Sequence, residues 1–287
     1  MILIRTPDEM REWSRAERAR GRTVGFVPTM GSLHAGHLSL VQRARGEHAA
    51  VAASVFVNPA QFGPAEDFDR YPRDIERDGA LLREAGVQAL FHPDAPAMYP
   101  GGVAAFRTWI TVEGLSDVLE GAARPGHFRG VATVVAKLLN VVEPDGAYFG
   151  QKDAQQALVI RTLARDLDMG VRIVVCPTVR EPDGLAMSSR NAYLTPAQRA
   201  AAPVIFGALS RAAEAAASGE RSPRAILAQA RRVLDSEPLF RTEYVELVST
   251  ADLRPIEEAE SGKEALLAVA GRLGGTRLID NAVIPAA

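Results

Sequence analysis

The chain has 287 residues, a formal net charge of -2, 47% hydrophobic residues and 24% charged ones. That is ordinary for a globular protein with a substantial core, at a length that suits two domains or one large α/β domain. The near-neutral balance argues against nucleic acid as an obligatory partner, and the single cysteine, Cys176, rules out an intramolecular disulfide or a cysteine-based zinc site.

Met1–Pro7 lacks a basic leader followed by a long apolar core, and no uncharged apolar run approaches the ~20 residues of a membrane helix. The expected location is therefore the cytoplasm, with no membrane partner. Asp8–Ala19 has helix composition. Thr23–Thr29 reads as a buried strand, feeding a helix that starts at Gly36 and continues to about Ala50. Val51–Val57 is a second buried strand, followed by the loop Asn58–Pro64. A helix over Asp74–Ala85 and a strand over Val87–Pro93 come next. Between Asp94 and Arg129, prolines and glycines break the pattern, leaving one strand at Thr108–Val112 and a short helix near Ser116–Leu119. A strongly apolar helix (Gly130–Val142), a strand (Gly146–Phe149), a turn (Gly150–Asp153), a helix (Ala154–Asp166) and a strand (Val171–Cys176) follow.

This alternation predicts an α/β fold: a Rossmann-like parallel sheet with helices on both faces over residues 1–177. After Pro177 the chain is first polar and turn-rich. Ala-rich helices over Pro196–Ala217 and Pro223–Leu234 then lead to three strands, Thr242–Val248, Glu264–Ala270 and Thr276–Val283. Residues 178–287 thus read as a smaller α+β C-terminal lid domain with a small antiparallel sheet. Ligands of parallel sheets bind beyond the carboxyl ends of the strands, which draws Thr29–His37, Asn58–Gln61 and Gly150–Asp153 to one edge.

Those stretches carry the chemistry. Met30-Gly31-Ser32-Leu33-His34-Ala35-Gly36-His37 joins a strand to a helix start, where unpaired N–H groups favour anions. His34 and His37, three residues apart, read as surface residues, as partial metal ligands, or as donors to a nucleotide triphosphate on one helix face. Only the last accounts for strand, glycines and histidines together. In Gly150-Gln151-Lys152-Asp153, Lys152 is a point charge suited to polyphosphate and Asp153 an acceptor for a ribose hydroxyl; the plainer alternative is a helix cap beside a solvated lysine. Gln156 suits a small hydroxylated acid. Met187-Ser188-Ser189-Arg190 offers two hydroxyls and a guanidinium, a candidate phosphate clamp and mobile lid. Gln61 follows the second strand and faces the proposed site, while Asn58 holds the turn. No Walker-type or Gly-x-Gly-x-x-Gly element is present.

In this order the motifs resemble the pantoate–β-alanine ligase family, along nearly the whole chain. The resemblance lies in Val27–His37, Ser54–Phe62, Tyr71-Pro72-Arg73, Tyr148–Asp153 and Met187–Arg190. It implies ATP-dependent condensation of (R)-pantoate with β-alanine through a pantoyl-adenylate, releasing AMP and pyrophosphate. It further implies His37, with His34 and Lys152, as catalytic groups. ATP would meet Met30 to His37, Gly150 to Asp153, the backbone of Val179, and Met187 to Arg190; Gln61 and Gln156 would hold pantoate, Gln61 also meeting β-alanine. Mg²⁺ would ride on the ATP phosphates with few or no protein ligands, Asp78 being a possible contributor. A cytoplasmic homodimer is typical of the family. The alternative is a nucleotidylyltransferase acting on a small phosphorylated acceptor, and a third reading is a nucleotide-sensing module without turnover.

Overall fold

The computed structural model describes residues 1–64, 66–257 and 263–286. Its strands are β1 (Ile2–Ile4), β2 (Val24–Thr29), β3 (Ala50–Val55), β4 (Ala89–Phe91), β5 (Gly146–Gly150), β6 (Arg172–Cys176), β7 (Phe240–Ser249), β8 (Lys263–Leu273) and β9 (Thr276–Ala286). Its helices are α1 (Pro7–Ala19), α2 (Ala35–Glu47), α3 (Ile75–Glu84), α4 (Ala95–Met98), α5 (Glu120–Ala123), α6 (His127–Val142), α7 (Ala154–Asp166), α8 (Pro196–Ala201), α9 (Val204–Ala217) and α10 (Pro223–Leu234). The chain divides into two compact units: Met1–Gln151 with Gln155–Pro177, and Lys152–Ala154 with Thr178–Ala287.

In the first unit six strands form a parallel sheet in the order β1-β4-β3-β2-β5-β6. From β2 the chain winds outward through β3 and β4, then returns to the other side of β2 to form β5. The topological switch point therefore lies where β2 and β5 end side by side, the usual ligand crevice of such sheets. Strand β3 is buried at every position, which is why its sequence is a run of apolar residues interrupted only by Ser54 rather than an alternating one. Val27, Leu40, Val41, Val51, Leu82, Leu90 and Tyr148 pack into one cluster with Cys176, so the lone cysteine is a core residue. Tyr148 is fully buried; its hydroxyl donates to Glu47 Oε2 at 2.8 Å, and burial pushes its pKa up.

The second unit holds an antiparallel sheet, β7-β8-β9, whose β8–β9 hairpin turns at Gly274-Gly275. Small residues on α9 and α10 let Ile205, Leu209, Ile226 and Leu234 reach Val245, Leu267 and Val269 of the sheet. Each such side chain contributes about 1.5–3 kcal/mol by leaving water.

Four expectations change. Helix α2 stops at Glu47, with His48 extended, so Ala50 already belongs to β3. Thr108–Val112 forms no strand: the Ile110 amide donates to Thr133 Oγ1 and the Val112 amide to Ser116 Oγ, so neither enters a ladder. The short helix lies at Glu120–Ala123, just after Ser116–Leu119. The helix expected over Pro196–Ala217 is two, broken at Ala202-Pro203, because Pro203 has no amide to continue the first.

Candidate active site

The loop after β2 is built around a buried carboxylate. Gly31 and Ser32 both have positive φ, +86° and +53°, which turns the chain sharply and aims successive amides inward. Asp78 on α3, only 1% exposed, receives them: Oδ2 accepts the Ser32 amide and Oδ1 the Leu33 amide, each at 2.8 Å. A β-carbon on Gly31 would stand 2.9 Å from Asp78 Oδ2, so glycine is required there for space as well as for φ. Thr29 completes the turn, donating to the Ser54 carbonyl at 2.7 Å and accepting the Gly31 amide at 3.1 Å.

The loop delivers the histidines in an order the spacing did not reveal. His34 is the N-cap of α2, not a residue on its face: its Nδ1 accepts the Gly36 amide at 3.1 Å. His37, in the first turn, accepts the His34 amide on its own Nδ1 at 3.4 Å, and the ring centroids lie 4.1 Å apart. This is a capping box made of imidazoles. A nitrogen that accepts an amide carries no proton, so in each neutral ring the proton sits on Nε2.

Gln61 lies beside this loop, its Nε2 donating to Met30 Sδ at 2.9 Å. Asn58, as expected, holds the turn. Its Oδ1 accepts the Ala60 amide at 3.2 Å and the Tyr99 hydroxyl at 2.8 Å, while Nδ2 donates to Gln61 Oε1 at 3.1 Å and the Gly130 carbonyl at 3.2 Å. Helix α6 closes on this turn so tightly that a β-carbon at Gly130 would lie 2.2 Å from the Ala60 oxygen. His127 Nδ1 meets the Gln61 carbonyl at 2.8 Å and so must be its donor; its Nε2 then accepts from Arg124 Nη1 at 3.0 Å. Burial, then the Arg124 charge, lowers the His127 pKa to about 4. Arg124 pairs doubly with Glu66, at 2.6 and 2.7 Å. Burial would raise the Glu66 carboxyl, but the Arg124 hydrogen bonds and charge outweigh it and hold it below the usual range.

Beyond β5, Gln151–Asp153 form a single 3₁₀ turn leading into α7. Gln156 is half-buried at the start of α7; the neighbouring Gln155 is structural, bonding Glu120, Leu115 and Val118 backbone groups. In the second unit Lys152 Nζ stands 3.7 Å from Asp153 Oδ1, and the Lys152 carbonyl accepts from Asn281 Nδ2 at 2.9 Å. Val179 opens a small hairpin: its carbonyl accepts the Met187 amide at 3.0 Å, and Arg180 bridges Ala186. Ser188 then caps the 3₁₀ turn Ser189–Tyr193, its Oγ accepting the Arg190 amide at 3.3 Å.

The model of the pantoate–β-alanine ligase family matches residues 2–283. The chain belongs to that family. It is 57% identical over 269 residues to a pantothenate synthetase of Chloroflexus aggregans, covering 93% of this chain and 95% of that one. It is 51% identical over 284 residues to one from Pelotomaculum thermopropionicum, covering 99% of each. The crystal structure of pantothenate synthetase from Thermus thermophilus superposes with a TM-score of 0.91 at 50% identity, over 98% of this chain and 99% of that one. A pantoate–β-alanine ligase from Francisella tularensis, complexed with β,γ-ATP and β-alanine, gives a TM-score of 0.79 at 31% identity, over 99% and 97%. The fold class and the ligase identity expected from the motifs hold.

Residues the sequence did not single out for these tasks hold these loops: in the first unit Asp78 as loop anchor, Tyr99, Gly130 and the Glu66–Arg124–His127 chain, and in the second unit Asn281. Their contacts span about 40 to 130 residues, so no local pattern announces them.

Proposed function

We propose that the chain makes pantothenate in two half-reactions on the loops that follow β2, β3 and β5. The pantoate carboxylate attacks the α-phosphorus of ATP, forming a P–O bond as the bond to the β-phosphate oxygen breaks. Pyrophosphate leaves and a pantoyl-adenylate remains. The β-alanine amine, as the free base, then attacks the acyl carbon; the C–O bond to AMP breaks, the nitrogen loses a proton, and an amide is left.

The observation that carries this reading is the imidazole capping box. Anion attacks anion in the first half-reaction, so donors fixed in advance are what the chemistry needs. With each Nδ1 committed to a backbone amide, His34 and His37 would present Nε2–H to the phosphates. Met30 to His37 and Gly150 to Asp153 would hold ATP, Lys152 would meet the charge that develops on the phosphates, and Asp153 the ribose. Val179 would meet adenine through its backbone. Met187, Ser188, Ser189 and Arg190 would close on the triphosphate. Gln61, held by Asn58 and His127, would bind pantoate and β-alanine, with Gln156 as the second pantoate contact.

Mg²⁺ would enter with the nucleotide. Asp78, whose two oxygens accept the Ser32 and Leu33 amides, would serve chiefly as the anchor of the loop. Residues 1–177 would form the nucleotide and pantoate domain and 178–287 the lid domain. A homodimer in the cytoplasm completes the reading; no helix among the described residues is long and apolar enough to cross a membrane.

The test is product analysis with ATP, (R)-pantoate and β-alanine each omitted in turn. Without β-alanine the enzyme should release pyrophosphate in a burst limited to one adenylate per site. Release of pyrophosphate without pantoate, or incorporation of the nucleotide into a stable product, would refute the two-step reading.

A further inference from the structure

We infer that Asp280 and Asn281, adjacent on β9, are positioning residues that hold Lys152 and the Ser188–Arg190 loop in one frame. The inference rests on the reading of Lys152 and that loop as ATP contacts.

Both residues are buried, at 4% and 6% exposure, in a position where a small antiparallel sheet has no structural need of polar side chains. Their register is fixed by the β8 partners Val269 and Ala268, both core residues. From that frame the two side chains serve different segments. Asn281 Nδ2 donates to the Lys152 carbonyl, which pins the backbone from which the long lysine side chain extends. Asp280 takes the Arg180 guanidinium in two hydrogen bonds, at 2.5 and 3.1 Å, and its Oδ1 also accepts the Asn281 amide at 2.8 Å.

Arg180 in turn stabilises the hairpin that leads to the serine loop. Its Nη1 donates to the Gly184 carbonyl at 3.0 Å, and its guanidinium stacks over Phe206 at 4.6 Å from the ring centroid. Gly184 cannot be replaced, since a β-carbon there would lie 2.0 Å from the same ring and the backbone φ is +92°. At the far end of the hairpin, Asn191 donates to the Ala186 carbonyl at 3.1 Å and to Glu181 Oε1 at 3.2 Å. The turn Ser189–Tyr193 also packs on β9 itself. Two segments far apart in sequence, each carrying a cation proposed for the same triphosphate, are therefore tied to consecutive residues of one strand. A bidentate charged pair fixes direction as well as distance, and an amide on a carbonyl fixes a backbone.

The experiment measures single-turnover pyrophosphate release, dependent on pantoate, in the full chain. Asn281→Asp keeps the shape and removes the donor; Asn281→Ala removes the side chain without placing a charge beside Asp280 and carries the same expectation should the first variant unfold. Each should slow adenylation about tenfold, as expected for one lost positioning hydrogen bond, with the pantoate KM unchanged. In a Lys152→Ala background the same Asn281 change should have no further effect, because the group it positions is gone. Asp280→Asn should instead raise the ATP KM and keep its effect in that background, since it acts through the serine loop. An equal loss from the Asn281 change in both backgrounds, or none in either, would overturn the inference while leaving Lys152 in place. An unchanged adenylation rate in Lys152→Ala alone would remove the reading beneath it.

Discussion

Asp78→Asn tests how the first loop is held. The buried carboxylate gives one oxygen to the Ser32 amide and the other to the Leu33 amide. Asparagine of the same shape keeps one acceptor and turns an amino group toward the second amide, so one charge-assisted bond is lost and two donors face each other. A hydrogen bond to a charged partner contributes about 1.5–3 kcal/mol and the stranded donor adds a desolvation cost, which together give a loss of roughly 2–4 kcal/mol. Asp78→Ala loses both bonds, and roughly 3–6 kcal/mol is expected. Ser32 at a φ of +53° is a strained position that relaxes once its anchor is gone, carrying His34 away from its cap. Urea unfolding followed by the fluorescence of Trp13 and Trp109 reads the stability, and pantoate-dependent pyrophosphate release reads the site. Both should fall together. An unchanged urea midpoint with activity abolished would refute the anchor role and assign Asp78 to the ligand instead.

Gly130→Ala should displace the Asn58–Gln61 turn, because the new methyl meets backbone atoms of Ala60 and Gln61 that cannot rotate away; a stability loss of about 1–3 kcal/mol is expected, with a raised pantoate KM. A normal KM would show that α6 shifts while the turn stays. Gln61→Ala should raise the pantoate requirement and leave ATP affinity unchanged, and an effect on ATP alone would move Gln61 out of the acid pocket. Stability should fall in mild acid through His127 and His48. Both have folded-state pKa values depressed by burial, His127 to about 4, so below about pH 6.5 the unfolded chain takes up protons that the folded chain refuses. Each can contribute at most about 1.4 kcal/mol per pH unit in that window. His127→Asn should flatten the slope of the urea midpoint between pH 6.5 and 4.5; an identical slope would place the acid sensitivity elsewhere.

The parallel sheet was legible because its strands are short apolar runs separated by amphipathic helices with clear ends. The misses have local causes. Strand β1 is only three residues on the sheet edge, with Ile2 and Leu3 half exposed, so it lacks the signature of its buried neighbours. Thr108–Val112 has strand composition, but its amides are drawn off by Thr133 and Ser116 hydroxyls. The candidate site was legible where one loop carries consecutive chemistry, as from Met30 to His37. It was not legible where a side chain acts on a backbone group far along the chain. In sequence Asp78 reads as a carboxylate of possible use to a cation, and only the folded contact shows that it grips two amides. Asn281 stands in a stretch that reads simply as strand.

The N-cap of α2 brings a conflict between durability and use. Serine, aspartate or asparagine caps a helix better than most residues, and a search for stabilising substitutions would favour them at position 34. Such a change would keep α2 well anchored while deleting a proposed phosphate donor. The family's reaction, on this reading, is served by accepting an uncommon cap: the ring nitrogen facing the backbone holds the helix, and the proton is confined to the opposite nitrogen. Selection for a hardier enzyme and selection for a faster one would therefore pull the same residue in opposite directions.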